Sequence, residues 1–186
     1  CRNNRIDIQA LKTIPAARTI LFELLSAYGF NSVQTEEVFA HLDGGSGKVY
    51  ESHEWRLLRD RKTLVLSRKD EQYKCLCHVL PLEGCVKVTQ DLTFLIRRVH
   101  YDRHFTIPRR KDTVCMDLDK IEYPITVRFV QEGDRFVPFG MTGQKLVSDY
   151  LTNCQKNLFE KERQLVVCSG ERIAWLVNER KTTVSG

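Results

Sequence analysis

Glu132-Gly133-Asp134-Arg135-Phe136-Val137-Pro138-Phe139-Gly140-Met141-Thr142-Gly143-Gln144-Lys145-Leu146-Val147-Ser148-Asp149 is the stretch on which the reading of this chain turns. Three glycines and a proline fall within the eleven residues from Gly133 to Gly143, a density that marks a loop with special backbone demands. An alternating strand pattern, Ile125 to Val130, precedes it. A helical pattern carried by Leu146, Val147, Tyr150 and Leu151 follows, giving an expected helix from Lys145 to about Cys154. A strand, a glycine-rich turn and a helix start form a natural anion site, because unpaired N–H groups and the helix dipole favour negative charge. Arg135 and Lys145 would add full charges. The alternative is a tight connection whose glycines only satisfy turn geometry.

Gly133-Asp134-Arg135, Pro138, Gly140-Met141, Gly143, Lys145 and Ser148-Asp149 closely resemble the C-terminal signature of the tRNA(Ile)-lysidine synthetases. The resemblance continues through Phe159-Glu160-Lys161-Glu162-Arg163 and Ile173-Ala174-Trp175-Leu176-Val177. More loosely, Ala17 to Leu66 is similar to that family's central substrate-recognition region. The resemblance implies an ATP-dependent ligase that adenylates the wobble cytidine of an isoleucine tRNA and joins lysine to it. In that family the chemistry, with its ATP and magnesium, belongs to an N-terminal domain bearing a Ser-Gly-Gly-x-Asp-Ser loop. No such motif occurs between Cys1 and Gly186, and the chain starts with Cys1 rather than Met. The expectation is therefore a tRNA-positioning half, non-catalytic and without a cofactor of its own, separated from the catalytic half. Homodimers are common in the family, so a homodimer is one possibility. The family motif carries Arg135 and Lys145 over as RNA contacts, and Gly133, Asp134, Gly140, Gly143 and Asp149 as residues that shape the loop. Asp134 and Asp149 are expected to orient Arg135 and cap the helix. Three departures stand out: Lys145-Leu146 where many members have a lysine pair, Leu165 for a proline, and Asn178 for a glycine after the last strand, a swap that preserves access to positive φ.

The rest of the chain fits this frame. At 186 residues, 42% apolar and 28% charged, it holds one large or two small domains with buried cores. A net charge of +5 suits a polyanionic partner. No apolar run approaches the ~20 residues of a membrane span and no signal peptide is apparent, so a cytoplasmic location without membrane association is expected. Seven cysteines, an odd number without framework spacing, fit reduced thiols.

The expected fold class is α+β: short N-terminal helices and a β-hairpin region over 1–84, then a mixed α/β domain of mostly antiparallel strands over 85–186. Ile6 to Ile14 reads as a helix. Pro15 then opens a second, whose inner face is Ala17, Ile20, Leu21, Leu24, Leu25 and Tyr28, closed by Gly29. Thr35 is positioned to cap a third, running to Leu42. Its acidic residues, Glu36 and Glu37, argue against a DNA-reading helix-turn-helix. Gly44-Gly45-Ser46-Gly47-Lys48 fails the Walker A pattern, with Leu42 and Val49 at the required Gly and Ser/Thr positions, and reads as a turn. Strands follow at Lys48–Ser52, Glu54–Arg59 and Thr63–Ser67. Cys75, Cys77 and Val79 share a strand face, and Cys75-x-Cys77-His78 with Cys85 lacks zinc spacing and reads as buried thiols, so no metal site is expected. Val86 to Val99, Val114 to Leu118 and Ile125 to Val130 read as strands. A hairpin of Gln164–Ser169 and Arg172–Val177 turns at Gly170-Glu171.

The most basic segment joins Arg97, Arg98, His100, Tyr101, Arg103, His104 and Phe105 to Arg109, Arg110 and Lys111. Arginines among aromatic and histidine side chains can pair phosphates and stack on bases. Arg97, Arg98, Arg103, Arg109, Arg110 and Lys111 are thus RNA-contact candidates, with Arg128, Arg163 and Arg180 as a second rank. The competing description is a solvated charged loop. No nucleophile, base and orienter share a motif, and no catalytic residue is assigned. Another class is also compatible: a stand-alone ligand- or protein-binding module related to a domain of phenylalanine-tRNA synthetase β chains, with the glycine loop lining an apolar pocket.

Overall fold

Four stretches in the first third of the chain form strands, β1 (Arg5–Asp7), β2 (Val49–Glu51), β3 (Trp55–Asp60) and β4 (Thr63–Arg68), the last two with consecutive apolar residues that are buried on both faces. In a computed structural model, which describes residues 4–69, 76–100, 102, 104–108, 110–138 and 140–179, they form one antiparallel sheet in the order β1-β4-β3-β2. The β3–β4 hairpin turns on Arg61-Lys62, with Arg61 at φ +36°. One sheet face, bearing Tyr50, Leu57, Leu64 and Leu66, packs under α1 (Ile8–Thr13), α2 (Ala17–Ser26) and α3 (Ser32–Ala40), whose Leu11, Leu21, Leu25 and Val38 complete the core. On the opposite face Leu58 and Val65 cluster with Phe159.

Several local expectations shift. Ile6 lies in β1 rather than a helix, because its backbone pairs with Leu64. Pro15 stays outside the helix, and Ala16 is the N-cap at φ +58°. Leu24, assigned to the inner face, is 43% exposed; Leu21 and Leu25 bury that helix. The cap of α3 is Asn31, not Thr35: Asn31 and Gln34 form a reciprocal capping box, while Thr35 sits inside the helix and donates to the Asn31 carbonyl at 3.0 Å.

The chain divides into two units, Cys1–Glu71 with Asn157–Phe159, and Gln72–Lys156 with Glu160–Gly186. The second is organised by a four-stranded antiparallel sheet of β5 (Cys77–Val79), β8 (Ile125–Phe129), β11 (Leu165–Ser169) and β12 (Arg172–Leu176), in the order β12-β11-β8-β5. Both faces of this sheet are covered. On one, Val127, Phe129, Val167 and Trp175 pack against the hairpin of β6 (Gly84–Lys87) and β7 (Thr93–Ile96), through Val86, Phe94 and Ile96. On the other, Val166, Cys168 and Leu176 pack against the ribbon of β9 (Arg135–Phe136) and β10 (Lys145–Leu146) and against α4 (Val147–Asn153), through Phe136, Val147 and Leu151. A further helix, α5 (Leu158–Glu162), precedes β11. The architecture is α+β with antiparallel sheets, as the patterning implied.

The expected strand at Val114–Leu118 does not form. Val114 and Met116 turn inward onto the β6–β7 side of the core without joining a ladder, and a single 3-10 turn follows at Leu118–Lys120. Asn178, in the glycine position after β12, does adopt positive φ, at +62°. Among the described residues no helix is long and apolar enough to cross a membrane.

Candidate nucleic-acid interface

The glycine-rich stretch is the loop of a hairpin. It leaves the sheet after β8, turns, runs out along β9, and returns along β10 into α4. Two of its glycines occupy the same kind of position. Gly133, at φ +84°, is third in the turn closed by Asp134 N–H on Gln131 O at 3.2 Å. Gly140, at φ +79°, is third in the turn closed by Met141 N–H on Pro138 O at 3.0 Å. That is the position of a type II turn that demands positive φ. Gly143 differs. Its φ is not positive and a side chain there would meet nothing within 4 Å.

Asp134 is the knot of this loop. Its carboxylate accepts both ends of the Arg128 guanidinium, at 2.7 and 2.9 Å, and the Gln131 N–H at 2.8 Å. Its carbonyl accepts the Val147 N–H at 2.9 Å. The two side chains are 19% and 13% exposed, and the bond to Asp134 pushes the Arg128 guanidinium above its ordinary pKa. Asp134 therefore orients Arg128, not the neighbouring Arg135 that the sequence suggested. Asp149 lies in the first turn of α4 and makes no capping bond; the N-cap, Leu146, has none either. The expected helix-terminus anion site is likewise not built: α4 begins at Val147, its Val147 N–H is already taken, and Asp149 sits in that turn.

Arg135 and Lys145 are exposed and make no ion pair among the described residues. Register sets Arg135 opposite Leu146 and Lys145 opposite Phe136. Opposite partners share a face and successive residues alternate, so the ribbon separates the two cations instead of closing them into one clamp.

The basic segment belongs to a different layer. Arg97 and Arg98 follow β7 directly; with Lys111 they are exposed and unpaired among the described residues. Arg110 is not available in the same way, since Asp112 takes its Nε at 2.9 Å and its Nη2 at 2.5 Å. Tyr101, Arg103 and Arg109, like Arg180 and Cys75, lie outside the described residues. His100 and His104 are exposed. Arg97 and Arg98 thus lie at the end of the hairpin layer, and Arg135 and Lys145 on the ribbon layer, of the second unit's sheet.

Other chemistry finds no assembly. Among the described residues no cluster of His, Cys, Asp or Glu could hold a metal ion. Cys77 and Cys85, expected to be buried, are exposed, along with Cys115 and Cys154; Cys168 is buried, and burial pushes its thiol pKa up. A cavity of about 340 Å³ in the second unit is lined by Asp91, Phe129, Lys156, Glu160, Arg163 and Glu179 among others, with no residue of the glycine loop. The loop does not line that cavity, as the small-molecule reading needed.

Residues 2–69, which lie within the first unit, match the family described as the TilS substrate binding domain. The matches to whole proteins extend over both units. The chain is 41% identical to a tRNA(Ile)-lysidine synthase of Bacteroides thetaiotaomicron over 94% of its own length and 38% of that protein's. It is 38% identical to a tRNA(Ile)-lysidine synthase of Parabacteroides distasonis over 96% of its length and 40% of that protein's. A Porphyromonas gingivalis protein of the same name is 28% identical, over 92% and 39%. The family match is thus confined to the first unit. The chain as a whole is similar to a part of tRNA(Ile)-lysidine synthases, and it spans about two fifths of the length of these relatives.

Proposed function

We propose that this chain binds and positions tRNA for lysidine formation, with adenylation and lysine transfer carried out by the remainder of the enzyme. One observation carries the reading: Arg97, Arg98, Lys111, Arg135 and Lys145 are exposed without a carboxylate partner among the described residues. Unneutralised cations on two layers suit a partner whose charge is spread along a backbone. An A-form helix is such a partner, because it is held through phosphates, 2′-hydroxyls and shape. The first unit, matching the substrate binding domain, contributes further surface to the same partner.

The test is binding of the chain to isoleucine tRNA with the CAU anticodon and to an unrelated tRNA across a salt series. Log affinity should fall linearly with log salt. Arg135→Ala, and separately Arg97→Ala with Arg98→Ala, should weaken binding and reduce the slope by ~0.7–0.9 for each phosphate contact removed. A preference for the CAU tRNA would locate identity information in this chain. No binding at low salt, or a salt-independent affinity, would sink the reading.

A further inference from the structure

Among the described residues, Arg128 is the cation bonded to the glycine loop and held away from solvent. It projects from β8 on the sheet face that the ribbon and α4 cover, with Thr126 and Val166 as its neighbours on that face. Both guanidinium ends are held by Asp134, and Nη1 also donates to the Phe129 carbonyl at 2.9 Å. A half-buried pair of this kind adds little net stability, since desolvation offsets most of the attraction. What it does supply is geometry. Through Asp134 it links three pieces of chain: β8 by the fork, the turn by Gln131 N–H, and the start of α4 by Val147 N–H. Arg135, one of the ribbon's two exposed cations, is the very next residue.

We propose that the Arg128–Asp134 fork is a positioning device for RNA recognition: it touches no RNA and acts by fixing the direction in which the ribbon presents Arg135. The proposal rests on the tRNA-binding reading above. It makes Arg128 a positioning residue and not a phosphate ligand.

Electrostatics supplies a test by sign. Asp134→Asn removes a negative charge beside Arg135, which on charge alone should tighten binding to a polyanion. The fork instead requires binding to weaken, by roughly tenfold, the lower range for one lost charged contact. Arg128→Gln should weaken it similarly while leaving the salt slope unchanged, whereas loss of a phosphate contact lowers the slope by about one. The double variant should be no worse than either single one, and Asp134→Asn should have no further effect in an Arg135→Ala background. Amide exchange at Gln131 and Val147 should accelerate in Asp134→Asn while the β11–β12 amides keep their protection. If Asp134→Asn does not fold, Arg128→Lys, which keeps the charge but not the fork, is read in the same way. Wild-type binding with unchanged or tighter binding by Asp134→Asn overturns the fork's role alone, as does a slope reduced by Arg128→Gln. A wild-type chain that binds no tRNA overturns the RNA reading, and with it the purpose assigned here.

Discussion

Two glycine–lysine loops, one in each unit, look alike on paper and are built to opposite ends. In the first unit, Gly44-Gly45-Ser46-Gly47-Lys48 is consumed internally. Ser46 donates to Asp60 at 3.2 Å and accepts from Arg61 N–H at 3.2 Å. Gly47 N–H bonds the Arg59 carbonyl at 2.8 Å, and Lys48 pairs with Glu37 at 2.8 Å. That last bond lowers the Glu37 pKa and raises that of Lys48. Lys12, Arg18, Arg56, Arg68 and Lys69 each face a carboxylate as well, although the exposed Lys62 does not among the described residues. In the second unit the loop from Gly133 to Lys145 fastens itself through Asp134 and leaves Arg135 and Lys145 unpaired among the described residues. Glycine content and a nearby lysine do not tell these two loops apart. The placement of counter-charges does.

The largest effect that would sharpen this contrast lies beneath the loop. Leu151 of α4 is fully buried under the ribbon, and Leu151→Ala should cost about 2–5 kcal/mol in chemical denaturation. Next, Arg135→Ala combined with Lys145→Ala should lower tRNA affinity by tenfold or more at low salt and reduce the salt slope by about 1.5. Lys12→Ala with Lys48→Ala should change affinity by less than about twofold, because those charges are already answered. An equal loss from the two pairs would break the comparison and move the RNA site toward the first unit. A third effect concerns backbone. Gly133→Ala and Gly140→Ala should each destabilise by about 1–2 kcal/mol, as left-handed positions do, while Gly143→Ala should stay within ~0.5 kcal/mol in the same melts. If Gly143→Ala nonetheless weakens tRNA binding, the missing side chain at that point serves the ligand. The smallest effect runs the other way. Asp112→Asn frees Arg110 and should raise tRNA affinity a few-fold and steepen the salt slope by about one. Acidification is a poor substitute, since the bonds from Arg110 hold Asp112 below the usual carboxylate range.

Sequence patterning carried the fold wherever pairing is local. The β11–β12 hairpin, the β8 alternation and the positive φ at Asn178 follow from residues a few positions apart. The cap of α3 was legible too, in Asn31 and Gln34, but Thr35 offered a competing signal that only its burial resolves. Val114 and Met116 alternate as a strand would, yet they bury by packing on the core without a ladder, and periodicity cannot tell these apart. At the site, the cations and the glycine positions were readable. Their partners were not. The Arg128–Asp134 fork joins residues six apart across a turn, and the Arg135–Leu146 register joins residues eleven apart. Both depend on where the ribbon folds back, which composition does not encode.

The burial of Trp175 has a practical consequence. The chain has two tryptophans. Trp175, 4% exposed, lies in the second unit with its ring edge-on to Phe94 at 6.0 Å, and Trp55 lies in the first, edge-on to Tyr28 at 4.8 Å. Each unit therefore carries its own intrinsic fluorophore in a distinct aromatic setting. Trp55→Phe and Trp175→Phe variants would yield single-colour reporters in which the melting of one half of the chain is watched without the other. Titrating tRNA into each would then reveal, optically and without labels, which half feels the ligand.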